Sequence, residues 1–230
     1  MTTLKIAIIG PGKMGSAVEA VARAAHVEVV AVLDERTPIT SATLAGADVA
    51  IEFTEPSSAV ANIRACLVAR CPVVVGTTGW YDELPEVSDI VTARGGALLW
   101  AANFSFGVAA VAHLVRHAGE LLSRLPGFEA AMIETHHSAK KDAPSGTARM
   151  LQREFTAASG TELPVTSVRV GSVPGTHTLV LDGAFEQIVV THEARDRRVF
   201  AEGALAAARW LVGRNGVFTL DDVLAGEDGR

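Results

Sequence analysis

The sequence predicts an α/β chain with a covered parallel sheet in its first part and an α+β domain with a mixed sheet in its second. Three observations carry this. Through the first hundred residues, continuous apolar runs of strand length alternate with amphipathic helical stretches, the pattern of strands buried on both faces by helices. The first run ends in a glycine-rich turn, GPGKMG, that opens a helix. Beyond residue 103 strand-like segments follow one another with only turn residues between them, which favours a mixed or antiparallel sheet with helices on one face.

LKIAIIG (residues 4–10) is an apolar run closed by glycine, MGSAVEAVARAA reads as an amphipathic helix, and VEVVAVLD (27–34) is a second run; together they form a βαβ unit. DVAIEFT (48–54) reads as strand, SSAVANIRACLVAR as helix, and PVVVGTT (72–78) and GALLWAA (96–102) as strands. After Asn103, FGVAAVAHLVRHAGELLSRL is helical and FEAAMIETHH strand-like. A polar stretch, a helix GTARMLQREFTAAS and three alternating segments, VTSVRVG, THTLVLDG and EQIVVTHEA, follow. The tail ALAAARWLVGRNGVFTLDDVL reads as helical. The expected organisation is a dinucleotide-binding domain over residues 1–103, completed by 203–230, and a substrate-binding domain over 104–202.

The 230 residues are 49% hydrophobic, enough to bury a large core. The formal charge of −6 and the lack of a long basic run argue against nucleic acid or an anionic membrane as the main partner. There is no run of about 18 apolar residues, and MTTLKIAIIGPG enters a strand without a basic leader, so the expected location is cytoplasmic. Cys66 and Cys71 form no CxxC and read as reduced core thiols.

GPGKMG (Gly10, Pro11, Gly12, Lys13, Met14, Gly15) fits G-x-G-x-x-G in the right context, between a strand and a helix. There the glycines permit a tight turn and let a pyrophosphate approach the N–H groups at the positive helix end. Asp34 closes the second strand about twenty residues after Gly15, the spacing of the acid that binds the adenosine ribose hydroxyls in a Rossmann-type domain. A glycine turn without a ligand would need strand, glycines, helix and acid to coincide by chance. Lys13 is either a solvated charge or a counter-ion for a 2′-phosphate. GTTGW (Gly76, Thr77, Thr78 and beyond) and AANF (Ala101, Ala102, Asn103, Phe104) each follow a strand of the same sheet, where ligands of doubly wound folds sit.

ETHHSAKKDAPSGTA (134–148) concentrates proton-transfer groups and cations before a helix. His136 and His137 are adjacent at a strand end, so they point to opposite sides and cannot chelate one metal together; no metal is expected. One histidine can face a cleft as acid or base while its neighbour binds substrate. Lys140 can donate a proton or hold a carboxylate. Ser145 is a plausible N-cap, and the N–H groups of Gly146 and Thr147 are then available to an anion. The features together describe a pocket for a small dianion with a proton donor at hand, against the plainer reading of a polar loop before a capped helix. His113, His117 and Glu120 share one helical face at zinc-like spacing, but a polar helix face or a subunit contact explains them better. His177 and His192 read as fold or rim residues, and Trp80, Trp100 and Trp210 as dispersed core and interface side chains.

GPGKMG, FTEPSS, GTTGW, AANFSFGV and above all ETHHSAKKDAPSGTA resemble the 4-hydroxy-tetrahydrodipicolinate (dihydrodipicolinate) reductases of lysine and diaminopimelate biosynthesis, over nearly the whole chain. The resemblance implies NADH or NADPH as cofactor, a cyclic imine dicarboxylate as substrate, and a homotetramer built through the mixed sheet. It matches His136 to the family's proton donor/acceptor and Lys140 to its second proton donor. His137, Ser145, Gly146 and Thr147 match substrate-binding positions. Residues Gly10 to Gly15, Asp34, Phe53, Thr54, Gly76 to Thr78 and Ala101 to Phe104 match cofactor contacts. Many members carry an extra residue in the glycine turn and an arginine directly after the strand-end acid; here Glu35 intervenes before Arg36, which weakens a clean NADPH preference. A related dehydrogenase of a semialdehyde or polyol would carry a different catalytic signature, and a nucleotide-sensing regulator would have lost these proton-transfer residues.

Overall fold

The computed structural model describes residues 3–226; the first two and last four residues of the expected first domain lie outside the described residues. The chain forms two compact units, 1–104 with 198–230, and 105–197.

In the first unit, β1 (Lys5–Ile9), α1 (Lys13–Ala24) and β2 (Glu28–Leu33) make the opening βαβ unit. β3 (Val49–Glu52), α2 (Pro56–Val68), β4 (Val73–Val75), a short 3-10 turn, α3 (Leu84–Ala93) and β5 (Ala97–Trp100) continue the alternation. The six-stranded sheet is parallel throughout, with order β2-β1-β3-β4-β5 and a last strand beyond β5. β1, β3 and β4 are almost wholly buried, as expected of strands covered on both faces. The chain reverses its direction of progress across the sheet between β1 and β3, the switch point at which ligands of such sheets bind.

The tail corrects one expectation. It is not helical throughout: α6 (Arg198–Leu211) packs against β3, β4 and β5, then β10 (Gly216–Phe218) pairs with β5, and α7 (Leu220–Ala225) follows. Gly213, two residues past α6, has positive φ, which suits the end of a helix, and the Val-Phe pair after Gly216 suits a strand. The tryptophans also differ from expectation. Trp80, Tyr81 and Trp100 form one aromatic cluster, with centroids 4.8–6.4 Å apart, and only Trp210 stands apart, against Phe218 and under the Arg214 guanidinium.

In the second unit, α4 (Phe106–Leu122), β6 (Glu129–His136), α5 (Gly146–Ser159), β7 (Val165–Arg169), β8 (Thr176–Asp182) and β9 (Gln187–Glu193) form a mixed sheet of order β7-β6-β8-β9. β6 and β7 are parallel and the other pairings antiparallel. Val111, Val115, Leu151 and Phe155 of α4 and α5 meet Met132, Leu179 and Leu181 of the sheet in one core. Because strand side chains alternate between faces, Met132, Glu134 and His136 share the helix-covered side. The opposite side shows Ile133, Val168 and Val189, each more than a third exposed. Among the described residues no helix is long and apolar enough to cross a membrane.

Phe155 has no solvent exposure, so Phe155→Ala should cost about 3–5 kcal/mol. Val68→Ala, at a position 65% exposed, should change stability by no more than about 0.5 kcal/mol. Urea denaturation followed by circular dichroism checks the difference; equal losses would remove Phe155 from the core.

Candidate active site

The glycine turn is shaped by contacts that leave no room for other residues. Gly10 has φ +94°, and a Cβ there would lie 2.1 Å from the Phe53 carbonyl oxygen; one on Gly15 would lie 2.0 Å from that of Gly10. A Cβ on Gly12 would meet nothing within 4 Å, so that side of the turn is open to an incoming group. Gly12 is also the N-cap of α1 and has no side chain to satisfy the first N–H groups of the helix. The turn borders a cavity of about 790 Å³ lined by Gly10, Pro11, Gly12, Asp34, Arg36, Thr37, Phe53, Thr54 and Asn62 among others. Asp34 accepts hydrogen bonds on Oδ1 from the Thr37 hydroxyl (2.8 Å) and the Arg36 N–H (3.1 Å), which hold its carboxyl below the usual range. A donor-rich helix end, an ionised acid at the second strand and an open backbone between them fit a dinucleotide.

Lys13, Met14 and Gly15 belong to the turn but do not line the cavity. Gly76, Thr77, Thr78, Ala101, Ala102, Asn103 and Phe104 follow β4 and β5, as expected, and also lie outside it. They are tied to its wall: the Thr54 N–H donates to Thr77 Oγ1 at 2.7 Å, and the Phe104 ring meets that of Phe53 edge-on at 5.9 Å. Sequence reading missed two neighbours. Glu52 is completely buried at the end of β3, where it accepts from the Thr54 hydroxyl and from Asn62 Nδ2 at 3.2 Å.

The second unit gathers ionisable groups at one end of its sheet. Register makes the gathering: Glu134 pairs with His177 and with Ser167, His136 with Arg169, and His177 with His192. All therefore lie on one face, the same face that is apolar further along β6 and β8. Glu134, with no exposure, accepts from His136 Nδ1 on Oε2 and from Arg169 Nη2 at 2.6 Å on Oε1. Burial pushes this carboxyl up, but the bonds from Arg169, Ser167 and His136 more than offset it and bring it down to about 2. Arg169 Nη2 also donates to the Asp142 carbonyl at 2.7 Å, tying the polar loop to the sheet.

In that loop Lys140 Nζ donates to Asp142 Oδ1 at 2.7 Å. His137, half-buried, lies just past the end of β6. Ser145 caps α5 by accepting from the Ala148 N–H at 3.1 Å, and its hydroxyl also bonds His177 Nε2 at 3.1 Å. Gly146 is exposed at the helix start, with open space where a Cβ would stand, and Thr147 is half-buried beside it. A second serine repeats the device: Ser105 caps α4 and its hydroxyl lies 3.4 Å from His192 Nε2.

Of the two readings, fold or rim residue, His177 takes the first: it is buried and bonded to the cap of α5. Its ring lies 5.2 Å from that of His136, edge to face, and burial, with His136 next, pushes its pKa down to about 4. The signal was the pairing of β6 with β8, which one sequence does not disclose. Glu134, His136 and His177 are ligand types whose atoms lie within 4.8 Å of one another. However, both Glu134 oxygens are already bonded to protein groups, so the set reads as a proton-handling network. Among the described residues, His113, His117 and Glu120 form no such group.

Burial of neutral His177 carries a pH signature. Below an ordinary histidine pKa of about 6.5 the unfolded chain takes up a proton that folded His177 refuses until about pH 4, so stability falls as pH drops through that window. Urea midpoints measured from pH 7 to 4 should fall steadily and fall less in His177→Gln; a flat profile would contradict the burial.

Comparison with known proteins agrees with this geometry. The profile described as dihydrodipicolinate reductase, N-terminus, matches residues 4–104, and that for the C-terminus matches 107–224. A 4-hydroxy-tetrahydrodipicolinate reductase of Christiangramia forsetii is 33% identical over 96% of this chain and 98% of its own length. One from Methanoregula boonei is 38% identical over 77% of this chain and 74% of its own. The dipicolinate-bound dihydrodipicolinate reductase of Paenisporosarcina sp. TG-14 has the same fold, with a TM-score of 0.80 at 20% identity over 95% of this chain and 98% of that one. With both halves of the chain matched, and the glycine turn and the histidine-lysine stretch where the fold needs them, the chain belongs to the dihydrodipicolinate reductase family.

Proposed function

We propose that the chain carries out its family's reaction, the reduction of 4-hydroxy-tetrahydrodipicolinate to tetrahydrodipicolinate in lysine and diaminopimelate biosynthesis, as a cytoplasmic homotetramer. The observation that carries the reading is the ionisable group at the end of β6, set beside a helix N-terminus that is open at Gly146. When bound, the reduced nicotinamide supplies hydride to the ring. The chain's own groups manage charge and protons.

The dinucleotide follows the turn Gly10 to Gly15, with its pyrophosphate on the α1 N–H groups. Asp34 turns Oδ2, the oxygen its loop leaves unused, to the ribose hydroxyls. Phe53, Thr54, Gly76 to Thr78 and Ala101 to Phe104 form the wall toward the nicotinamide. His137, Ser145, Gly146 and Thr147 hold the substrate carboxylates, the backbone donors of α5 acting with its dipole. His136 is the acid/base that works at ring carbon C3, and Lys140 donates a proton and screens the anionic charge that develops after water leaves and hydride reaches C4. The exposed apolar side of the mixed sheet, around Ile133, Val168 and Val189, supports self-association through that sheet. A reductase assay on freshly generated substrate, following nicotinamide absorbance, tests the reading; no turnover with either cofactor would end it.

Both NADH and NADPH should serve. Asp34 accepts from the ribose hydroxyls of one and repels the 2′-phosphate of the other, while Arg36 and Lys13 offset part of that repulsion. Steady-state kinetics should show modest discrimination; a preference of about 1000-fold, roughly 4 kcal/mol, would mean that one charge dominates.

Lys140→Ala should lower kcat with little change in KM, and His136→Ala should cost on the order of 10²–10⁴-fold in rate. Thr147→Val should raise KM more than it lowers kcat, because carboxylate binding is shared by ground and transition states. Near-full kcat in Lys140→Ala with none in Thr147→Val would reverse the assignment.

A further inference from the structure

We infer that Glu134, backed by Arg169, is the positioning residue for His136: it keeps the imidazole proton on Nδ1, so that Nε2 is the atom through which the proton is exchanged. The inference rests on the acid/base role proposed for His136 and adds the residue that sets its tautomer, its orientation and its capacity to carry charge.

Residues 132, 134 and 136 point to one side of β6, so a carboxylate at 134 is delivered beside a histidine at 136 by alternation alone. An ionised carboxylate only accepts hydrogen bonds, so the Nδ1 that contacts Glu134 Oε2 must carry hydrogen. Glu134 cannot turn away, because its other oxygen takes the Arg169 guanidinium at 2.6 Å, and Arg169 is itself anchored on the Asp142 carbonyl. Nε2, on the far side of the ring, takes part in no hydrogen bond among the described residues. Residue 175 is glycine, and a Cβ there would stand 3.0 Å from Nε2.

The charged and titratable groups around the ring are Glu134 on its own strand, Arg169 on β7, His177 on β8 and Lys140 on the following loop. Burial, Lys140 and Arg169 favour the neutral ring, and Glu134 alone favours the imidazolium. With Glu134 present, Nε2 can take a proton from solvent and give it to substrate, while Nδ1 keeps its own and the carboxylate stays ionised throughout. Without it, the ring would be held neutral and free to adopt either tautomer.

The test uses the full-length protein with histidine labelled by ¹⁵N. In the wild type, His136 should show a protonated Nδ1 and an unprotonated Nε2 above its titration; the opposite tautomer overturns the inference without any variant. Glu134→Gln, first shown to bind NADH normally, should move the His136 midpoint to lower pH. The limb of the kcat profile that reports His136 should move with it. At neutral pH its kcat should fall by about 10–10²-fold, less than the roughly 10²–10⁴-fold that general acid–base catalysis as a whole contributes, with KM little changed. Glu134→Asp, which keeps the charge, should restore part of the loss. A Glu134→Gln enzyme whose kcat and His136 titration both match the wild type sinks the inference. If the wild type shows no reductase activity, the proposed function has failed instead, and the tautomer and titration still report whether Glu134 holds the ring.

Discussion

The carboxylate of Glu134 has no exposure to water, and an ionised group in that position has to be paired and hydrogen-bonded or neutralised. Much of the second unit's active end follows from meeting that requirement. Arg169 must come from β7 to one oxygen, which sets the parallel pairing of β6 and β7 as more than a packing choice. His136 must present Nδ1 to the other. Arg169 then has a donor left for the Asp142 carbonyl, and this is what ties the loop carrying Lys140 to the sheet. Removing one partner of such a buried pair typically costs about 3–5 kcal/mol, so the charge network bears on folding as well as on chemistry.

The same face of the same sheet thus serves two purposes along its length. Met132, Leu179 and Leu181 pack under α4 and α5, and two residues further along β6 the row becomes Glu134 and His136. The transition occurs where the N-terminal ends of the two helices arrive, each capped by a serine whose hydroxyl bonds a strand histidine. Helix N-termini supply positive potential and backbone donors, and the sheet end supplies the ionisable groups to which the proposed function assigns proton exchange. An anionic substrate that must be protonated needs both. The first unit answers a different need: its glycine turn contributes backbone and space, and the contacts at Gly10 and Gly15 show why no larger residue would do.

Several features were legible in the sequence because they depend on neighbours along the chain. Strand length, helix periodicity, the glycine turn before α1, Asp34 at the end of β2 and the N-cap of Ser145 all follow from local rules, and all appear in the structure. The tail was misread because α6, β10 and α7 lie close together, and a three-residue strand such as Gly216–Phe218 has no period to detect; only its pairing with β5 makes it a strand. Trp80 and Trp100 looked dispersed for a similar reason, since twenty residues of chain separate rings that meet in the fold.

By itself, then, the sequence determined the two textures of the chain, the place of the nucleotide turn and the chemical content of the histidine-lysine stretch, because each is written in residues close enough to interact within one element or one turn. Tertiary structure decided which groups act together. His177 reaches His136 across forty-one residues and Arg169 reaches Glu134 across thirty-five, in both cases only through strand register. Register is a property of the assembled sheet, specified here by the face buried along β6 and β8. A slip of one residue would send every one of these side chains to the opposite side.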